Sequence, residues 1–134
     1  MKKPNLLATL TLLLMFSVPS FAEWDRVANN EIGTSFYIDV DSIKKGGLGY
    51  IYFWNLDDYL KPVYGNLSVK AYVEADCGVP RKVRTLRLLY YKQSMGEGMP
   101  IETDNRTGEW VYPSPESGGE IALERVCSFV KDLP

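Results

Sequence analysis

Leu67-Ser68-Val69-Lys70-Ala71-Tyr72-Val73-Glu74-Ala75-Asp76 is the stretch that decides the fold. Its apolar side chains, Leu67, Val69, Ala71, Val73 and Ala75, alternate with Ser68, Lys70, Tyr72, Glu74 and Asp76. A repeat of two predicts a β-strand with one buried row of side chains and one row facing water. On its N-terminal side, residues 50–59 (Tyr-Ile-Tyr-Phe-Trp-Asn-Leu-Asp-Asp-Tyr) are rich in β-branched and aromatic residues. Large groups fall on both faces near Phe53 and Trp54, which predicts a central strand. Residues 24–28 and 35–40 predict two earlier strands, and Lys45-Gly46-Gly47 supplies the turn into Tyr50. A fifth strand is expected over 82–93, where the apolar pattern changes face at Leu88 and Leu89, as at a bulge or strong twist.

Residues 94–117 read mostly as loop, through Gly96, Gly98, Pro100, Gly108, Pro113, Pro115 and the polar run 103–106. A short sixth strand is expected at 109–112, around Trp110. Ser117-Gly118-Gly119-Glu120 then has the Ser-x-x-Glu spacing of a helix N-terminal capping box. At about 100° per residue, Ala122, Leu123, Val126, Cys127, Phe129 and Val130 fall in one arc of an amphipathic helix, with Glu120, Glu124, Arg125, Ser128 and Lys131 opposite. The predicted fold class is α+β: a mainly antiparallel sheet of five to six strands with one C-terminal α-helix packed on a face.

The chain has 134 residues, 17 acidic and 15 basic side chains, two cysteines and no histidine. A net charge of −2 argues against general nucleic-acid binding, which needs a basic surface. The missing histidine removes the commonest general base and zinc ligand, together with every Ser/His/Asp or Cys/His arrangement. No enzyme of those kinds, and no cofactor, is expected. At the N-terminus, Lys2 and Lys3 precede an apolar run over 6–16, and Ser20-Phe21-Ala22 offers small residues at a cleavage point before Glu23. Residues 1–22 thus read as a removable secretory signal peptide, too short and interrupted to be a membrane span. The mature chain, 23–134, is expected to be one domain without a transmembrane anchor. Its 13 basic side chains stand against 17 acidic ones, because removal takes two of the 15 lysines and arginines and no acid. In an oxidising compartment Cys77 and Cys127 are expected to pair as a disulfide tying helix to sheet, since no CxxC and no histidine is present to build a redox or zinc site.

The order of these signals resembles a known family. Trp24 opens the mature chain, Phe36-Tyr37-Ile38-Asp39 precedes Asp41-Ser42-Ile43, and an aromatic strand ends in Trp54-Asn55-Leu56-Asp57-Asp58-Tyr59. Ser68-Val69-Lys70 leads to Glu74-Ala75-Asp76-Cys77, and Arg84, Tyr90-Tyr91, Met95-Gly96-Glu97-Gly98, Trp110 and Cys127 follow. The series is similar to the bacterial surface-adhesin protein E family over nearly all of the mature chain. The resemblance implies an exported envelope protein that binds host extracellular-matrix proteins such as vitronectin and laminin. No lipid-attachment cysteine stands at the cleavage point, so periplasm, cell surface and medium are all consistent destinations.

Several residues are candidates for chemistry. Asp39 with Asp41, Asp57 with Asp58, and Glu74 with Asp76 are carboxylate pairs of the kind that bind calcium or divide acid and base roles. Asp57 and Asp58 point to opposite faces of a strand, and Glu74 and Asp76 share the polar face, so ordinary turn and wet-face acids are the expected outcome. Met95-Gly96-Glu97-Gly98 lacks the Lys-Ser/Thr of a phosphate loop. The sequons at Asn66 and Asn105 matter only with eukaryotic machinery. Arg81, Lys82, Arg84, Arg87 and Lys92 concentrate five cations within twelve positions of an acidic protein. This basic strip would attract a host matrix protein or an acidic glycan. Against that, positive charge also protects edge strands, Arg84 can pair with Glu74 or Asp76 across the hairpin, and alternation puts Arg84 and Arg87 on opposite faces. The nine tyrosines, among them Tyr50, Tyr52 and Tyr59, are a second candidate contact surface or ordinary sheet residues. An unprotected sheet edge would permit dimerisation. The function expected is a non-enzymatic surface adhesin, with a periplasmic small-ligand-binding or inhibitor protein as the alternative. N-terminal sequencing of the exported protein is expected to begin at Glu23; a chain beginning at Met1 would overturn the signal-peptide reading.

Overall fold

The computed structural model describes residues 22–133, so the predicted signal peptide, except for Ala22, lies outside the described residues. A seven-stranded, wholly antiparallel sheet and one C-terminal helix make up the fold: β1 (Trp24–Asn29), β2 (Ser35–Asp39), β3 (Lys44–Lys45), β4 (Ile51–Val63), β5 (Asn66–Asp76), β6 (Lys82–Tyr91), β7 (Glu102–Asp104) and α1 (Gly118–Val130). The strands lie in the order β1-β2-β4-β5-β6-β7, with β3 also pairing β4. Strand and helix types agree with the sequence reading, but two strands were not anticipated. Lys44–Lys45 pairs with Tyr52 and Ile51 where only a turn was expected. Glu102–Asp104 pairs with Leu88 to Tyr90 of β6 inside a run whose polarity argued for loop, because a sheet edge asks only for backbone groups. Residues 109–112, expected as a sixth strand, contribute only a bridge between Val111 and Val83.

The β4–β5 hairpin is the spine. Ile51, Phe53, Asn55 and Asp57 stand opposite Ala75, Val73, Ala71 and Val69, and Tyr52, Trp54, Leu56 and Asp58 stand opposite Glu74, Tyr72, Lys70 and Ser68. The first set shares the helix-covered side, where Ile51, Phe53, Ala71, Val73, Ala75 and Ile38 pack against Ala122, Leu123, Val126 and Cys127 of α1. The hairpin closes through Tyr64 (φ 48°) and Gly65 (φ 77°), two left-handed residues that suit the twist of the flanking strands. At the other end β2 leaves β4 after pairing with Asn55, and β3 resumes at Tyr52. Ser42, in the intervening 3-10 turn Val40–Ser42, fills this gap: its hydroxyl accepts from the Trp54 N–H at 2.9 Å and donates to the Asp39 carbonyl at 2.7 Å.

Helix α1 begins at the predicted cap, with the return bond of the capping box displaced by one residue. The Ser117 hydroxyl accepts from the Glu120 N–H at 3.2 Å, and the Glu120 carboxylate reaches back to the Glu116 N–H. Cys77 continues the odd-numbered, helix-facing row of β5, and it is bonded to Cys127 with 5.6 Å between Cα atoms. The bond closes a separation of 50 residues, which in the chain-entropy model stabilises by about 4 kcal/mol. The double variant C77S/C127S is therefore expected to lose stability of that order in urea titrations, with secondary structure retained at low denaturant; an unchanged midpoint would show that the bond contributes nothing to stability.

Candidate functional site

With α1 on one side, the other face of the sheet carries no α-helix among the described residues. Tyr52, Trp54 and Tyr72 line up along its middle, with ring centroids 5.0 Å apart for Trp54 and Tyr72 and 6.1 Å for Tyr52 and Tyr72. One end of this face is closed by residues 93–96, which fold back across β4 and β5. Ser68 fixes this strap twice: its hydroxyl donates to the Gln93 carbonyl at 2.6 Å and accepts from the Gly96 N–H at 2.8 Å. Asp58 fixes it again, its Oδ1 accepting from the Met95 N–H at 2.7 Å and the Ser94 hydroxyl at 2.8 Å. Beneath the strap, Leu56, Ser68 and Tyr91 are fully buried or nearly so, a small second core that the sequence reading did not anticipate. The open area between strap and sheet edge is the candidate contact surface.

The carboxylates serve this architecture rather than a shared site. Glu74 was expected on a wet face with Asp76, but it is only 5 % exposed. The correction follows from what surrounds it: Tyr52 Oη donates to Glu74 Oε2 at 2.5 Å, and Arg84 Nε donates to Oε1 at 2.6 Å, so both oxygens are satisfied where the aromatic row covers them. The hydrogen bond to Glu74 also raises the Tyr52 hydroxyl above its ordinary pKa. Asp39 Oδ1 caps its own turn by accepting from the Asp41 N–H. Asp57 and Asp58 do point to opposite faces. Asp57 lies on the helix side between Phe36 and Val69, and its Oδ1 is buried without a hydrogen-bond partner. Burial pushes its carboxyl up from 3.8 to about 6.

The basic strip divides. Arg81 lies beside α1 with Val79, Pro80, Glu120 and Glu124. Lys92 sits at the hairpin end, donating to the Gly65 carbonyl at 3.3 Å. Lys82, Arg84 and Arg87 stay together on the open face, opposite Asp76, Glu74 and Tyr72. That overturns the opposite-face placement of Arg84 and Arg87. Val73 pairs with Thr85 and the adjacent Tyr72 with Arg87, so Leu86 is an extra residue and the alternation resets across this bulge. The sequence showed the change of pattern two positions late, at Leu88 and Leu89. Trp110, arriving from the 105–111 segment, lies under two of these cations, with Lys82 Nζ 4.8 Å and the Arg84 guanidinium carbon 4.6 Å from its ring centroid. Tyr50 packs on the same indole at 5.4 Å.

Lys70 was not singled out in the sequence. Its ammonium lies over the Tyr91 ring at 4.9 Å and the Trp24 ring at 5.7 Å, in a groove of about 270 Å³ also lined by Asp39, Trp54 and Leu89. Burial pushes this ammonium below its ordinary pKa. The available signal was a lysine within the polar row of 67–76, between Ser68 and Tyr72, where a flexible cation must either reach the rim or lie on neighbouring rings. Among the described residues, no group of three or more His, Cys, Asp or Glu side chains is placed to hold a metal, and no helix is long and apolar enough to cross a membrane.

Among the described residues, one face of the sheet is covered by α1 and the other carries rings and cations. The family model for surface-adhesin protein E matches residues 24–128, and the chain belongs to that family of surface adhesins. Its fold is that of Haemophilus influenzae protein E, at a TM-score of 0.61 and 18% identity, covering 85% of this chain and 91% of that one. Crystal form II of the same protein gives a TM-score of 0.58 at 18% identity, over 81% of this chain and 89% of that one. Its selenomethionine form gives 0.60 at 18% identity, over 81% and 88%. No curated protein sequence matches the chain.

Asp57 supplies a test by pH. The folded state keeps a proton on this carboxyl that the unfolded chain has already released between about pH 4 and pH 6, so stability falls as pH rises through that window. D57N is expected to flatten the slope and to raise stability at pH 7 by on the order of 2–3 kcal/mol. Thermal or urea melts at pH 4 and pH 7 measure both; an equal loss of stability at the two pH values would show that the carboxyl is not held protonated.

Proposed function

We propose that this protein is an exported, non-enzymatic adhesin that uses the open sheet face to bind host extracellular-matrix proteins, with vitronectin and laminin as the first partners to test. The observation that carries the proposal is the gathering of Lys82, Arg84 and Arg87 on one uncovered face beside Trp110, Tyr52 and Tyr72. Rings give large contact area at low entropic cost, and cations with water access steer an acidic partner and set its orientation. Arg84 is the least free of the three, because its pairing holds the buried Glu74. Among the described residues, exposed Arg87 bonds Asn105 at 2.8 Å and neither it nor Lys82, which lies over Trp110, makes an ion pair, so these two are the cations a partner can recruit.

The test has two arms. Intact cells of the source bacterium treated with an external protease should lose the protein, and the purified domain should bind immobilised vitronectin or laminin with an affinity that falls as salt is raised. The double reversal K82E/R87E should weaken that binding at least about tenfold, and the single reversal R87E, at an exposed position, should weaken it with thermal stability nearly unchanged. Protection from protease in intact cells would overturn the adhesin role and favour the other reading, a periplasmic small-ligand-binding or inhibitor protein.

A further inference from the structure

We propose that the Lys70 groove is a binding site for one acidic sugar ring, a pyranose bearing a single carboxylate. The inference deepens the contact-surface reading by giving the face a second kind of ligand. Trp24, Trp54 and Tyr91 form its walls, and Leu89 adds apolar surface. Flat aromatic walls with a few convergent polar groups are the usual make-up of small-ligand sites, and the apolar face of a pyranose stacks well on such rings. The groove, about 270 Å³, is smaller than the roughly 300–1,000 Å³ of drug-sized sites, which suits a single ring.

Charge selects the class of sugar. Among the described residues, no carboxylate lies within ion-pairing distance of Lys70 Nζ. A partly desolvated ammonium resting only on rings gains more from an incoming anion than a hydrated surface lysine does. With one cation in the groove, the site matches one carboxylate rather than the row of charges on a polysulfated chain. The carboxylates that line this area, Asp39 in the groove and Glu97 in the adjoining cleft, are acceptors suited to sugar hydroxyls. That adjoining cleft, lined by Trp24, Lys70, Gln93, Met95 and Glu97, gives room for the next residue of a glycan.

The strap also comes close to the lysine. Gly96 has a left-handed φ of 62°, and a Cβ there would stand 2.3 Å from Lys70 Cε. Gly96 N is itself bonded to Ser68, so the strap cannot back away cheaply. The strap thus passes close to the lysine stem, whose ammonium lies near both the Trp24 and Tyr91 rings. Ala22 lines the groove too, so cleavage after it would remove one wall and place the α-ammonium of Glu23 beside Trp24, adding positive charge at the mouth.

Titration of the purified, exported protein by intrinsic tryptophan fluorescence and by calorimetry tests the site, with N-acetylneuraminic acid, glucuronic acid and neutral galactose as probes. Either acid should bind saturably and at least about tenfold more tightly than galactose, and the tighter of the two acids identifies the sugar. K70M should weaken the acid about tenfold without affecting galactose, K70R should retain most of the binding, and G96A should weaken it with the charge still present. Thermal melts show that each variant is folded, and K70R keeps the comparison valid if K70M is not. Equal affinity for acid and neutral sugars, no saturable binding of either acid, or unchanged binding in a folded K70M protein would each overturn the proposal. Matrix-protein binding measured on the same samples separates the two readings: its loss with sugar binding intact counts against the adhesin partner alone, and sugar failure with matrix binding intact counts against the groove alone.

Discussion

The antiparallel pairing of β4 with β5 is the constraint on which the other features depend. Once Phe53 faces Val73 and Trp54 faces Tyr72, the odd positions from Ile51 to Asp57 and from Val69 to Ala75 are committed to the helix side and the even positions between Tyr52 and Asp58 and between Ser68 and Asp76 to the open side. Cys77 then continues on the helix side, within reach of Cys127, and Lys70 falls among the rings of the open side. A slip of one residue would bring Tyr72 and Glu74 under the helix and expose Val73. The mismatch would cost far more than any single contact, because burying an unpaired carboxylate is much worse than losing a hydrophobic one.

Two devices modify that simple two-sided plan. The first is the bulge at Leu86, which rotates the rest of β6 by one position and so brings Arg87 to the same face as Arg84. The second is the strap, which uses the Ser68 hydroxyl and the Asp58 carboxylate to satisfy backbone groups that would otherwise be stranded above the sheet. Both are local irregularities with long-range results: one assembles the cationic cluster beside Trp110, the other lines the cleft beside the Lys70 groove.

The buried polar groups fall into two kinds. Glu74 is paired on both oxygens, and its charge organises Tyr52 and Arg84 into a fixed unit under the open surface. Asp57 has an unpartnered oxygen, as does Asn55 two positions before it, and it meets burial by holding its proton more tightly. Stability is thus given up at neutral pH on the helix side, while the charges of the contact face are kept in partnership.

Much of this was legible in the sequence. Residues 67–76, the aromatic run 50–59, the Ser117 cap and the apolar arc of 122–130 each carry a periodic or capping signal that depends only on neighbours in the chain, and strand, helix and disulfide follow from them. The pairing of Arg84 with Glu74 was also foreseeable from hairpin register. What the sequence did not reveal were the features made by contacts between distant segments. β7 forms from polar residues because an open edge accepts any backbone, and the strap covers Leu56 because Ser68 and Asp58 happen to meet residues 93–96. Lys70 reads as one more wet-face lysine until Trp24, Tyr91 and Gly96 converge on it from three different places in the chain. Local periodicity determined which side chains each strand turns inward and outward. Only the tertiary structure decided which outward ones meet, since a pattern of period two carries no information about the bulge or the returning loop that sets their neighbours.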